Sequence, residues 1–371
     1  MQAHPDMSQD SALLEYLQLH HSTSFSRPVG VAIAGLQSRR KTKKRHAKAA
    51  MHSSNGHADP FESNVMYTRP PVPAFNSFLS NVVERTKGPT MMAAKAMGIT
   101  VSDDGIKCIT LSNGDTIRCH RLVLAVGNGS PRIPAWAETA AARTAVVDSP
   151  AQPQLYHTSN LGSLPASQLQ GKRVLVVGGG MSAAHACLLA TEASADVTLL
   201  SRHPLREQEF DATLPWFSRY EAHAQRCAFY QADARVRAEI IAQARGGASI
   251  SSDVLARLRE AMAKGTIVFR QGEVASLAAD GTQGEVHLEL ADGESARIEV
   301  DVVVLATGFN TTVEGQPLLK QLWLQHDWPT VNGLPILDTG LEWAEGIHML
   351  GSFAGMKSLT MARQPPSPCV V

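Results

Sequence analysis

The stretch Lys172-Arg-Val-Leu-Val-Val-Gly-Gly-Gly-Met-Ser-Ala183 decides how the rest of the chain is read. Two basic residues lead into an apolar run, three glycines follow, and small residues open what reads as a helix. An apolar run without alternation is the pattern of a strand buried on both faces, as in a parallel sheet. Gly178, Gly180 and Ala183 stand at the three positions of G-x-G-x-x-G/A, with Gly179, Met181 and Ser182 between them. The first position serves a sharp turn, the second lets a backbone approach a pyrophosphate, and the third lets a helix pack closely on its strand. A helix from about Met181 to Ala193 would aim its unpaired N–H groups at the phosphates. Asp196-Val-Thr-Leu-Leu200 then reads as a second strand that closes a βαβ unit. Glycine-rich turns also serve purely structural ends. The strand before and the helix after favour a dinucleotide.

The end of that second strand bears on which dinucleotide. A site for NAD has an acid about 20 residues on, accepting from the ribose 2′-hydroxyl. Here Ser201-Arg202-His203 stands instead, with no acid before Glu207. A hydroxyl and a guanidinium suit a 2′-phosphate, so the expectation is NADP(H), with Ser201 and Arg202 at the phosphate. Two further apolar runs end in glycine: Leu122-Val-Leu-Ala-Val-Gly127 and Asp301-Val-Val-Val-Leu-Ala-Thr-Gly308. Either alone reads as a buried strand ending in a turn. Flanking one βαβ unit in this order, they read as strand ends beside a nucleotide domain.

Working outward, the chain has 371 residues, 44% hydrophobic and 18% charged, ample for a packed core. Thirty-four basic side chains balance thirty-four acidic ones, which argues against a general nucleic-acid or membrane-surface binder. The apolar stretch Val29–Leu36 is too short to span a bilayer. No secretory signal is visible. Five cysteines (Cys108, Cys119, Cys187, Cys227, Cys369) are scattered without CxxC or Cys/His spacing. The expectation is a reducing, cytoplasmic setting with neither disulfides nor a metal site. The oligomeric state leaves no mark in the sequence.

The first ninety residues differ in texture. No Asp or Glu occurs from Tyr16 to Ala58, and Arg39, Arg40, Lys41, Lys43, Lys44, Arg45 and Lys48 crowd together. Such a run reads as a solvated loop, with nuclear import or anion binding as alternatives. The Ser-rich, acid-poor stretch also resembles a transit peptide, although Asp6, Asp10 and Glu15 precede it. From Phe75 onward, Phe78, Leu79, Val82 and Val83 fall at helical spacing, ending near Lys87-Gly88-Pro89. A hairpin is expected from Gly105–Leu111, a turn at Asn113-Gly114, and Thr116–His120, because both turn residues tolerate positive φ. A Pro- and Ala-rich connector runs from Pro131 to about Leu169.

Taken together, Val174–Ala183, Ser201-Arg202, Leu205–Asp211 with Trp216, Ala244–Ile250, Ala306-Thr307-Gly308 and Trp343–Ala354 resemble a known family. It is that of the two-dinucleotide-domain flavoproteins related to flavin-containing and lysine/ornithine-type N-hydroxylating monooxygenases. The resemblance runs over roughly Pro73 to Arg363. It implies an α/β fold in which a doubly wound Rossmann-type NADP domain is inserted in a partial FAD-binding domain. It further implies a nicotinamide that reduces a flavin, which activates oxygen or passes electrons onward to oxidise a small-molecule substrate. On that basis Gly178–Ala183 would hold the NADPH pyrophosphate. Gly127, Ala306, Thr307 and Gly308 would lie near the domain interface and the flavin. The implied division is a basic segment 1–72, a partial FAD domain 73–150, the NADP domain 151–310, and a return to the FAD domain over 311–371.

Two departures from the family pattern stand out. No G-x-G-x-x-G precedes Gly178, and Gly30-Val-Ala-Ile-Ala-Gly35 has the wrong spacing. The chain therefore reads as truncated ahead of the family's first glycine turn, and weak or absent FAD binding is expected. At the other end, Leu359-Thr-Met-Ala-Arg-Gln364 only partly matches the family's flavin-side helix start. Gly351–Ser358 narrowly misses a P-loop, since Met356 stands where its second glycine belongs. His185 reads as a packing or exposed helix residue. His157 and Ser159 could face a nicotinamide, or belong to a loop. Flavin chemistry needs no dedicated protein nucleophile, and no catalytic acid or base is assigned. Three functions compete: an NADPH- and FAD-dependent oxidoreductase, monooxygenase-like; a degenerate NADP(H)-binding relative without redox chemistry; and a polyanion binder acting through the basic run.

Overall fold

The computed structural model describes residues 16, 72–86, 90–144, 153–163, 165–208, 212–216, 221–245, 247–277 and 285–356. The basic run 39–48, the segment 30–35 and residues 359–364 lie outside them. The chain divides into one unit of residues 1–94 and 360–371 and a second of residues 95–359. In the first, helix α1 (Val72–Arg85) buries Ala74 and Phe78. Its Phe78 ring meets Tyr16 edge-on at 5.4 Å.

The second unit begins with a three-stranded antiparallel meander, β1 (Ala96–Val101), β2 (Lys107–Leu111) and β3 (Thr116–Cys119). Only Gly114 takes a positive φ in the β2–β3 turn. Asn113 instead uses its side-chain oxygen to accept from the Asp115 N–H at 3.1 Å. The turn is therefore not the two-residue type with both φ values positive. Strand β1 had no clear sequence signal, because Ala-Met-Gly-Ile-Thr-Val offers no clean alternation. Strand β4 (Leu122–Leu124) is followed by helix α2 (Ala135–Thr144).

The main sheet is built from β5 (Gln154–His157), β6 (Arg173–Val177), β7 (Asp196–Ser201), β8 (Ile267–Leu277), β9 (Glu285–Leu290), β10 (Ser295–Glu299) and β11 (Val302–Leu305). Its spatial order is β10-β9-β8-β7-β6-β11-β5. Strands β8, β7, β6, β11 and β5 run parallel, and β9 and β10 return antiparallel. Val174–Val177 thus lies in an interior strand, as its unbroken apolar run implies. Helices α3 (Met181–Glu192), α4 (Glu221–Gln231), α5 (Ala234–Arg245) and α6 (Ser252–Ala263) fill the connections around β7 and β8.

Alternation along β6 explains how the layers stack. Val174 and Val176 point into a core with α3 and α6, including Ala183, Cys187, Leu255 and Leu258. Leu175 points the other way, toward Leu200, Val303 and Leu305. That second face is covered by Val286 and Leu288 of β9 and by Ala137 of α2. The α/β expectation is met. The second face, where a doubly wound sheet would carry helices, is closed largely by the antiparallel return of β8–β10.

Helix α7 (Pro317–His326) follows, its Gln316 side chain accepting from the Leu318 N–H at 2.7 Å. Strands β12 (Glu342–Ala344) and β13 (Ile347–Met349) complete a small sheet ordered β12-β13-β4. There β13 runs parallel to β4, so the residues after Leu124 and after Met349 leave from the same edge.

Candidate functional site

All five parallel strands of the main sheet end at one edge, and that edge gathers most of the residues singled out from the sequence. In parallel α/β sheets this carboxyl edge is where ligands bind. At the end of β6, Gly178 has φ +145°, and its N–H donates to the Leu200 carbonyl at 2.9 Å. A Cβ on Gly178 would lie 2.4 Å from the Ala306 carbonyl oxygen, so any side chain there meets backbone. A Cβ on Gly179 would lie 2.3 Å from the Ser201 hydroxyl oxygen. Gly180 is the residue before α3, and no side chain caps that helix start. The first-turn amides of Met181, Ser182 and Ala183 therefore receive no capping bond from the N-cap residue. Ala183 is buried against the sheet, Met181 is half-buried and Ser182 is exposed.

Ser201 and Arg202 play different parts. Ser201 is 5% exposed; its hydroxyl donates to the His203 carbonyl at 2.8 Å and backs Gly179. Arg202 is exposed, and its carbonyl accepts from the Gln271 side-chain N–H at 3.4 Å. A second chain segment closes on the glycine turn. Ser249-Ile250 pairs in parallel with Arg206-Glu207, and Ala248, at φ +53°, would lie 3.5 Å from a Cβ on Gly180. The sequence marks this segment, within Ala244–Ile250, through the family resemblance and not through its spacing. Its return to the glycine turn is a long-range contact that no local pattern specifies.

The other strand ends form a knot of hydrogen bonds. The Ala306 N–H donates to the Val177 carbonyl at 2.8 Å, and the Thr307 hydroxyl donates to the Arg132 carbonyl. The Gly308 carbonyl accepts from the Arg132 N–H at 2.9 Å and from His157 Nε2 at 3.0 Å. His157 is buried and is the last residue of β5, and Ser159 follows it in a short 3-10 turn. Its ring meets Phe309 edge-on at 5.2 Å. Burial lowers the His157 pKa below the ordinary histidine value, with the Gly308 bond opposing in part. His185 is exposed on α3.

Gly127 lies apart from the glycine turn, after β4, at φ +72°. Its segment joins the knot because Ser130-Pro131 pairs antiparallel with Phe309-Asn310. Arg132 Nε also donates to the Asn310 side chain at 3.3 Å. Sequence reading missed Arg132 and Asn310, since neither stands in a motif. Among the described residues no group of three or more His, Cys, Asp or Glu is placed to hold a metal ion. None of the described helices is long and apolar enough to cross a membrane.

The family profile described as L-lysine 6-monooxygenase/L-ornithine 5-monooxygenase matches residues 74–311. The chain belongs to this family. That match takes in the glycine turn, both flanking strand ends and the Arg132–Gly308 knot. Solved structures of similar fold include L-lysine 6-monooxygenase from Pseudomonas syringae, at 20% identity and TM-score 0.56, covering 85% of this chain and 76% of that one. The ornithine N-hydroxylase of Kutzneria sp. 744 has 15% identity and TM-score 0.58, over 85% and 78%. The FAD-bound cadaverine monooxygenase of Erwinia amylovora has 17% identity and TM-score 0.58, over 78% and 70%. No curated protein matches the chain.

Proposed function

We propose that this family member is an NADPH- and FAD-dependent monooxygenase that oxygenates a small molecule, N-hydroxylation of a primary amine being the leading case. The observation that carries the reading is the edge at which the β6 turn, the β11 end and the uncapped start of α3 come together. The turn suits a dinucleotide pyrophosphate: backbone leaves Gly178 no room for a side chain, Gly179 is hemmed in by the Ser201 hydroxyl, and the N-cap residue does not cap α3. On this reading residues 151–310 are the NADP(H) domain, inserted between two parts of a flavin domain. Arg202 faces the 2′-phosphate, and Ser201 supports the turn from below. The amine class rests on the relatives, which act on lysine, ornithine and cadaverine.

The fit for FAD is narrower. A Cβ on Gly127 or Gly308 would meet nothing within 4 Å, which leaves open backbone beside the knot. Among the described residues, however, only β6 passes directly through a glycine triplet into a helix, which is one turn of the pyrophosphate type. Bound FAD would supply the redox and oxygen chemistry; the residues described here bind and orient the nicotinamide donor. The single turn favours a second reading, an NADP(H)-binding protein without redox activity. The purified chain decides between them. A flavin spectrum that NADPH bleaches anaerobically, with NADPH consumption stimulated by lysine, ornithine or cadaverine, supports the enzyme. NADP+ binding by calorimetry with no flavin uptake, even from added FAD, supports the second reading.

A further inference from the structure

The imidazole of His157 reaches out of its own strand to the turn that follows β11. Its Nε2 is 3.0 Å from the Gly308 carbonyl, which can only accept, so Nε2 carries the proton. Nδ1 is then the acceptor, 3.1 Å from the Ser159 N–H and 2.9 Å from its hydroxyl. The ring is thus held in one tautomer from both sides, and its bond spans 151 residues of sequence. Gly308 lies two residues from Ala306, whose carbonyl abuts the Gly178 turn. Strand pairing puts His157 opposite Leu305 and Leu305 opposite Val177, so the three strand ends lie side by side.

We propose that His157 is a positioning residue for the nucleotide turn. By holding the Gly308 carbonyl it fixes the Ala306–Gly308 segment, and through the Ala306 carbonyl it sets the backbone path of Gly178. The inference rests on the nucleotide reading of Gly178–Ala183 given above. His157 itself touches no ligand in this scheme. The Arg132 N–H, the second donor to the same carbonyl, keeps the segment roughly in place without it. Removing the imidazole therefore loosens the turn rather than unfolding the sheet.

The test is NADP+ titration by calorimetry on the purified full chain, with thermal unfolding in parallel. His157→Gln keeps an N–H donor able to reach Gly308, and His157→Leu removes it. Loss of one hydrogen bond predicts NADP+ binding about three- to tenfold weaker in His157→Leu, with His157→Gln restored to near the wild-type value. If His157→Leu does not fold, His157→Asn replaces it, since its shorter amide stops short of Gly308. The 15N resonances of the wild-type ring should show the Nε2–H tautomer and shift on saturation with NADP+. Equal affinity in wild type and both variants, or a ring signal indifferent to NADP+, overturns the positioning role. A wild type that binds no NADP+ overturns the nucleotide reading itself and the inference with it.

Discussion

The Ala306 carbonyl oxygen lies 2.4 Å from where a Cβ on Gly178 would stand, so the end of β11 occupies the space that any side chain in the β6 turn would need. The first position of the glycine motif is thereby fixed by a neighbouring strand as well as by its own φ of +145°. Gly180 is different. A Cβ there would meet Ala248 at an ordinary 3.5 Å.

That contrast separates folding from binding. Gly178→Ala combines a left-handed backbone with a backbone clash and should cost about 2–3 kcal/mol of stability. Gly180→Ala should cost less than about 1 kcal/mol yet weaken NADP+ binding, because its Cβ intrudes where the pyrophosphate approaches. Thermal unfolding and NADP+ titration of both variants check the pair.

Arg202→Ala should weaken NADP+ binding and leave NAD+ binding nearly unchanged, since only NADP+ has a 2′-phosphate. A charge-assisted hydrogen bond is worth about 1.5–3 kcal/mol, or roughly ten- to a hundredfold in affinity. Ser201→Ala should instead cost about 1 kcal/mol of stability, because it leaves the His203 carbonyl without its hydroxyl donor. Calorimetry with both nucleotides distinguishes the roles. Equal losses for NADP+ and NAD+ in Arg202→Ala would sink the 2′-phosphate assignment.

His157 makes stability depend on pH. Its folded pKa is depressed, chiefly by burial, below the ordinary value of 6.5. Between the folded and unfolded values the unfolded chain binds the extra proton, so stability rises with pH. The contribution is complete above about pH 6.5 and is lost as pH falls through the depressed folded value. The bond to the Gly308 carbonyl opposes the burial only in part. The wild-type melting temperature should therefore drop more steeply below about pH 6.5 than that of His157→Gln.

At the opposite edge of the sheet, Arg173 grips Asp301 through NH2 at 2.9 Å and Nε at 3.2 Å, and also reaches Glu299. Its own N–H donates to the same carboxylate at 2.8 Å. The Arg173 side-chain bond is the main reason the Asp301 pKa lies below 3.8. The pair's contribution is present above that unfolded value and lost as pH falls through the lower folded one. Because the pair is partly solvated, Arg173→Ala should cost only about 1 kcal/mol at neutral pH. The difference between variant and wild type should shrink in acid, as denaturant titrations at neutral and low pH would show.

Much of the βαβ unit was legible because its signals are local. Four apolar residues, three glycines and a run of small residues specify strand, turn and helix within a few residues of one another. The position of Ser201-Arg202 at the end of the second strand could be read for the same reason, since that strand follows the helix directly. The hairpin turn was legible in place but not in conformation. An Asn-Gly pair allows positive φ at both residues, and the Asn113–Asp115 hydrogen bond selected another geometry.

What only the tertiary structure decided lies in contacts between distant parts of the chain. Sequence could not show that Ala248 folds back on the glycine turn, that β9 and β10 close the second face of the sheet, or that the Ser201 hydroxyl is turned to His203. Nor could it bring His157 to Gly308, or Arg132 to Asn310 across 178 residues. A strand's periodicity states which side chains are buried and leaves their neighbours open. The neighbours were set when parallel pairing placed β5, β11, β6 and β7 side by side, so that residues scattered from His157 to Gly308 ended at one edge.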